Sequence, residues 1–236
     1  MREENLLLAY LPDGERERLS PYLRQEVLEY QQVLIRPNEQ ITRIYFPYDA
    51  ITSTIQEMSD GDSVETGLMG VEGFVGVQLW LHAPTTPTRT LVQVPRKSHV
   101  MNAVNFFREV RDNESPLNDL CAKYAHAFLV MTSQTAACNR LHPVNERLCR
   151  WLTLVHNRVR RDEFPLRQEF VAQMLGVHRP TVSTAANMLQ QAGLVRYSRG
   201  NLRVLDAEGL RNGSCECLEI IENQFAKISP EWPQHR

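Results

Sequence analysis

Residues 166–206 read LRQEFVAQMLGVHRPTVSTAANMLQQAGLVRYSRGNLRVLD. Two helical patterns, Gln168–Leu175 and Arg179–Ala192, meet at Gly176-Val177-His178. Phe170, Val171, Met174 and Leu175 give the first an apolar face, and Val182, Ala186 and Leu189 do so for the second. Gly176 stands where a tight turn between crossed helices needs a positive φ and no Cβ. Pro180 falls in the first turn of the second helix, where its missing N–H costs nothing. Gly193 caps that helix. Leu194–Tyr197, a turn at Ser198-Arg199-Gly200-Asn201, and Leu202–Leu205 then predict a short hairpin. This order of helix, glycine turn, helix and hairpin is the layout of a winged helix-turn-helix.

In that layout the second helix lies in the major groove with its N-terminal residues at base edges. The side chains expected to be exposed there are His178, Arg179, Thr181, Ser183, Thr184 and Asn187. Arginine can bridge guanine O6 and N7, while Ser, Thr and Asn serve bases or phosphates. Arg167 and Gln168, opening the first helix, would meet phosphates, and Arg199 at the wing tip would reach the backbone or the minor groove. Charge points the same way. Between Asn139 and Asn212 stand 12 Arg, no Lys and 6 acidic residues, although the whole chain carries a net charge of −2. A basic segment on an acidic protein suits a polyanion. A winged helix can also bind protein or RNA, or serve as scaffold, because fold alone does not give function.

N-terminal to this segment the pattern changes twice. Residues 3–30 carry apolar residues at helical spacing and predict short helices. From about Tyr30 to Asn102, short runs rich in β-branched and aromatic residues (QQVLIRP, RIYFP, AITSTIQEM, SVETGLM, TRTLVQVP, HVMN) alternate with turn signals. They predict an antiparallel roll or sandwich, with a hairpin across Asp60-Gly61. A helix follows over 105–113, and Ser115-Pro116 opens a long one reaching about Leu141. Along it Leu117, Cys121, Tyr124, Phe128, Met131, Thr135 and Cys138 form a heptad seam, read as a homodimer interface. A seam packed on the chain's own sheet is the alternative. Pro143 breaks this helix, and Val144–Val159 predicts another with Leu148, Trp151, Leu152 and Val155 inward and a cationic end at Arg158, Arg160 and Arg161. The expected class is α+β: a β-rich domain over 1–114, a dimerisation helix and hinge over 115–142, and a winged domain with a C-terminal helix over 143–236.

At 236 residues, 42% hydrophobic and 23% charged, the composition is that of a soluble globular protein with enough apolar side chain for two cores. No run of 18 apolar residues predicts a membrane span, and the acidic N-terminus does not read as a signal peptide, so a cytoplasmic location is expected. The five cysteines (121, 138, 149, 215 and 217) form no disulfide framework. Cys138 and His142 are four apart on a helix, with Cys149 one helix later, but without a closing CxxC-type spacing no metal site is assigned. Cys215 and Cys217 read as two partly exposed reduced thiols in a tail, a redox switch being the alternative. No nucleophile elbow, phosphate-binding glycine loop or HExxH occurs, and no enzyme is expected.

Over nearly its full length the chain resembles the regulators related to the cyclic AMP receptor protein and the fumarate–nitrate reduction regulator. The resemblance is carried by Arg167-Gln168-Glu169, Leu175-Gly176-Val177, His178-Arg179-Pro180-Thr181-Val182, Met188-Leu189 and Gly193-Leu194-Val195, and more loosely by Leu34-Ile35, Gly73-Phe74-Val75-Gly76 and Arg89-Thr90. It implies a cyclic-nucleotide-binding-type β-roll, a long dimer helix and a C-terminal winged helix-turn-helix. It implies further that Gln168 and Thr181 bind phosphate and that Arg179 reads a base. Two departures alter the expected operator: the family's Glu after the Arg is Pro180, and a further base-reading Arg is Thr184. Gly76, Gln78, Arg89 and Thr90 would line an effector pocket for a cyclic nucleotide or another small anion, with no carboxylate after Gly76 to hold a ribose hydroxyl. No cysteine precedes Cys121, which argues against the family's iron–sulfur cofactor. The expected partners are double-stranded DNA with a near-palindromic operator, a second copy of the chain and RNA polymerase. A cyclic-nucleotide-responsive module whose winged helix contacts protein, or a metal or redox sensor of the same fold, are the alternatives.

Overall fold

A computed structural model describes residues 4–110, 115–198, 200–228 and 232. The first 28 residues hold α1 (Leu6–Ala9), α2 (Asp13–Leu19), a 3₁₀ turn at Ser20–Tyr22 and a strand, β1 (Arg24–Val27). The strand corrects the all-helical expectation for this stretch. Its sequence, Arg-Gln-Glu-Val, carries no apolar alternation, and Val27 is 70% exposed. β1 exists because it adds an edge to β7 in antiparallel register, so its backbone is satisfied by a neighbour that the local sequence does not announce.

The expected strands follow as β2 (Val33–Ile35), β3 (Arg43–Pro47), β4 (Ile51–Glu57), β5 (Ser63–Met69), β6 (Arg89–Val94) and β7 (Lys97–Asn102), with a one-turn helix α3 (Val77–Trp80) between β5 and β6. They form two sheets, β1-β7-β3 and β2-β6-β4-β5, all antiparallel. Phe46, Phe74 and Phe106 meet in the core with ring centroids 5.6–6.5 Å apart. The last belongs to α4 (Ala103–Val110).

The long helix α5 (Pro116–Leu141) has Ser115 as N-cap and Pro in its first turn, as its sequence predicts. Its heptad seam, however, faces the chain's own core. Leu117, Cys121, Tyr124, Met131 and Cys138 are at most 1% exposed within a single chain, Thr135 is buried, and Phe128 is half-buried. The reading of these seven residues as a dimer interface is therefore corrected. Gly73 and Gly67 leave the space into which the Tyr124 and Phe128 rings press, and α5 also packs along the C-terminal helix Cys217–Phe225. The opposite face, His126, Leu129, Ser133, Ala136 and Arg140, stays exposed at spacings of 3, 4, 3 and 4.

α6 (Val144–Val159) is buried from Arg147 to its end. This reverses another expectation: Arg158 is no surface complement to a helix dipole. Its side chain is fully buried, its Nε donates to Glu72 Oε1 at 2.8 Å, and its guanidinium lies 4.8 Å from the Trp232 ring and 5.3 Å from Phe225. A charge so placed needs a partner, and Glu72 of the β-roll supplies it. The chain continues through β8 (Glu163–Pro165), α7 (Gln168–Leu175), α8 (Arg179–Gln191), β9 (Val195–Ser198), β10 (Asn201–Val204), α9 (Ala207–Asn212) and α10 (Cys217–Phe225). The wing is a three-stranded sheet in the order β8-β10-β9. One continuous apolar core runs from the roll through α5 and α6 into the winged segment. No helix among the described residues is long and apolar enough to cross a membrane.

Candidate nucleic-acid interface

The turn between α7 and α8 forms as its glycine requires. Gly176 sits at φ 59°, ψ 44°, left-handed backbone that a side chain would strain. His178 is the N-cap of α8 and makes no side-chain capping bond, and Pro180 occupies the first turn. Pro180 has no N–H, and the Thr181 N–H donates to His178 O at 3.0 Å, so the first turn of α8 offers its side chains rather than a row of free backbone donors. Val182, Ala185, Ala186 and Leu189 bury one face of α8 against α6 and α7. His178, Arg179, Thr181, Thr184 and Asn187 are exposed on the other, as expected.

Three side chains differ from their expected roles in detail. Ser183 is half-buried rather than exposed, and its hydroxyl donates to Gln168 Oε1 at 2.8 Å. It braces α7 to α8 and leaves the Gln168 amide N–H groups for an outside acceptor. Arg179, 63% exposed, is paired with Glu169 Oε1 at 3.1 Å across the same two helices. A pair this exposed is worth about 0–1 kcal/mol, so an incoming phosphate or base can replace it. The Arg167 guanidinium lies 5.6 Å from the Tyr30 ring of the roll. Asn187 accepts from Gln190 at 3.3 Å, and Gln190 accepts from the Tyr197 N–H at 2.9 Å, which ties α8 to the wing. Arg199, the expected wing-tip contact, lies outside the described residues.

Three further residues join this surface. Met188 is 54% exposed, one turn beyond Thr184 on the outer stripe of α8. Its i+4 relation to Thr184 was the available signal. Arg196 and Arg203 stand directly opposite each other on β9 and β10, both exposed, with Glu163 next across the sheet. Like charges facing across strands are unfavourable in isolation. A polyanion laid on the wing would relieve them. The basic segment is less basic at its surface than its composition suggests, because Arg147, Arg150 and Arg158 are buried.

This segment is not held apart from the roll. A cleft of about 740 Å³ separates the tip of the β4–β5 hairpin, with Gly61, Asp62 and Ser63, from Gly176, His178 and Thr181. Gln173 donates to the Ser63 hydroxyl at 2.7 Å. Deeper, the Trp151 indole N–H donates to Glu65 Oε1 at 2.9 Å, while Ser53 and Gln93 donate to Glu65 Oε2. Burial pushes the Glu65 carboxyl up to about 7, against the pull of its donors and of Arg150 and Arg158.

The four residues expected to line an effector pocket divide into two pairs that no hydrogen bond or ion pair joins. Arg89 meets Glu57 at 2.6 Å, and the Thr90 hydroxyl is buried 3.3 Å from that of Thr54. Gly76 is left-handed, caps α3 and packs against the Ile44 side chain, and Gln78 keeps a buried Oε1 without a partner. An anion at Arg89 would have to displace Glu57.

Residues 146–212 match the family model of the Crp-like helix-turn-helix domain. This segment is a Crp-like helix-turn-helix domain. No curated protein matches the sequence. Solved structures similar to the whole chain include FixK2 from Bradyrhizobium japonicum, at 12% identity over 82% of this chain and 98% of that one, with a TM-score of 0.67. A CRP-family transcriptional regulator from Thermus thermophilus matches at 12% identity over 80% and 96%, TM-score 0.66. The c-di-GMP-responsive global regulator CLP of Xanthomonas campestris matches at 17% over 82% and 99%, TM-score 0.60. The chain has the fold of the CRP/FNR transcription regulators, with the Crp-like domain at its C-terminal end.

Proposed function

We propose that this chain is a transcription regulator that binds operator DNA as a homodimer, with α8 of the Crp-like domain in the major groove and RNA polymerase as the machinery it acts on. The observation that carries this is the outer stripe of α8. His178, Arg179, Thr181, Thr184, Asn187 and Met188 are exposed on a helix whose other face is locked into the core. Arg179 supplies bidentate donors for guanine, and Met188 supplies apolar contact for a thymine methyl. Gln168, Thr181, Arg167, Arg196 and Arg203 surround that stripe as phosphate contacts. With Pro180 and Thr184 at two base-facing positions, the preferred half-site differs from that of the cyclic AMP receptor protein.

The same reading puts the dimer contact on the exposed face of α5, around Leu129, instead of on the seam that the roll and α10 already cover. The β-roll is a sensor domain in this reading, with its Arg89 site closed by Glu57. Titration of affinity for duplex DNA against salt is the test. A slope of log affinity on log salt corresponding to several phosphates per dimer supports the proposal. Affinity independent of salt, or binding to protein alone, would reject it.

A further inference from the structure

Four side chains that the DNA-binding reading does not use converge where α5 ends and α10 begins. Cys138 and His142 come from the last turn and C-cap of α5, and Cys215 and Cys217 from the segment entering α10. Their ligand atoms all lie within 4.8 Å of one another. The Cys138 and Cys215 sulfurs are 3.5 Å apart, and Cys217 Sγ is 3.5 Å from His142 Nδ1. The three cysteines are buried and form a small cluster apart from the main core. Cys215 and Cys217 are thus not exposed tail thiols. Cys149, by contrast, is not in the cluster.

We propose that Cys138, His142, Cys215 and Cys217 form a structural Zn²⁺ site that clasps the end of α5 to the start of α10. Zn²⁺ bonds thiolate sulfur at about 2.3 Å and imidazole nitrogen at about 2.0–2.1 Å, so the edges of its tetrahedron are roughly 3.5–3.8 Å. The two 3.5 Å separations are of that length, and the others, none above 4.8 Å, reach it by shortening about 1 Å at most. Three sulfurs and one nitrogen fill every position of a tetrahedral ion, which is the arrangement of a structural site rather than a catalytic one. A disulfide would use only two of the four groups and leave the imidazole and the third thiol without purpose.

The surroundings fit a thiolate-rich centre. The Gln134 amide donates to Cys217 Sγ at 3.1 Å. The Glu216 carboxylate meets His142 Nε2 at 3.1 Å, which directs Nδ1 inward and fixes the ring as outer carboxylates do for metal-bound histidines. Arg147 and Arg150 act electrostatically on the Cys138 sulfur, against the net negative charge of three thiolates and one divalent ion. Binding releases to solvent whatever protons the thiols still hold and changes no oxidation state. The bond joins residues 77 apart and closes a loop through the entire Crp-like domain. It would thereby fix that domain's hinge to its own C-terminal segment.

The full-length protein, purified under reductant and dialysed against a weak chelator, should retain about one Zn²⁺ per chain. After the metal is stripped, titration with Co²⁺ should give thiolate-to-cobalt charge-transfer absorption and the intense visible bands of a tetrahedral centre. Cys138→Ser and Cys217→Ser should lose or shift that spectrum, and Cys149→Ala should keep it. Glu216→Gln, which leaves all four ligands in place, should weaken Zn²⁺ binding by roughly 10–100-fold. Because a ligand variant can fail to fold, the wild-type chain carries a second measurement. Zn²⁺ should protect Cys138, Cys215 and Cys217 from alkylation, as read by mass spectrometry. Reduced, folded wild-type protein that holds no Zn²⁺ and gives no thiolate band with Co²⁺ would overturn the proposal. So would a Cys138–Cys215 disulfide in protein kept under reductant.

Discussion

Arg179 is the long cationic side chain of the outer α8 stripe, and the proposed base readout depends on it. Arg179→Ala should cost about 1–3 kcal/mol on the specific operator and much less on random DNA, relaxing preference at one base pair. Arg196→Ala and Arg203→Ala should instead weaken both DNAs alike, each lowering the salt slope by about one. Paired salt titrations on specific and random duplexes check both. Equal losses for Arg179→Ala on the two DNAs would demote it to a phosphate contact. The exposure of Arg179 was legible because helical period and the glycine turn fix which way residue 179 points. Its pairing with Glu169 was not, since that depends on how α7 crosses α8. The same limit hid the fate of Arg158, which helical spacing alone places at a helix end but which the roll buries against Glu72. For Arg89 the pairing with Glu57 gives an expectation for ligand binding. Calorimetry with cyclic AMP should show only weak affinity, and sub-micromolar binding would mean that Glu57 yields readily.

At the scale of elements, α5 shows where a periodic pattern stops being informative. Its seam was visible as a heptad run, yet the period says only that one face is buried, not against what. Gly67 and Gly73 receive Phe128 and Tyr124, and α10, β5, α3 and α4 also pack against the helix. Phe128→Asp should therefore unfold or loosen the roll, by placing a charge among packed rings. Leu129→Asp, on the exposed face and 63% accessible in one chain, should leave circular dichroism and melting nearly unchanged while converting a dimer to a monomer. Sedimentation at micromolar concentration decides it, and a Leu129→Asp protein that stays dimeric would place the contact elsewhere. The strands β2 to β7 were legible from β-branched runs and turn residues. β1 was not, because its residues take strand form only through their partner β7. The metal-ligand cluster was half legible: Cys138 and His142 share a helix, but nothing local brings residues 215 and 217 to them.

In the whole molecule the Crp-like domain and the roll share a buried polar junction at Glu65, and that junction carries a pH dependence. Its folded carboxyl, near 7, sits above the ordinary value of 4.5 found in the unfolded chain. The folded state therefore holds the proton more tightly, and the stability contributed by Glu65 is full below about pH 4.5 and lost as pH rises through about 7. The loss should be on the order of 3 kcal/mol between those limits. Denaturant titrations of wild type and Glu65→Gln from pH 5 to 8 should differ in slope, with the variant flatter; parallel curves would remove Glu65 as the titrating group. The division into a β-roll, a long helix and a winged segment was legible from the order of periods along the chain. The docking of the winged segment onto the β4–β5 hairpin was not, since it rests on single contacts such as Gln173 to Ser63. The proposed regulator reads DNA sequence with a symmetric pair of α8 helices. Nuclease protection of genomic DNA by the wild-type protein tests it most directly. The expected footprint is a near-palindromic site whose half-sites are about 10 bp apart, lost on Arg179→Ala. Protection of a single asymmetric half-site, or uniform protection without sequence preference, would contradict it.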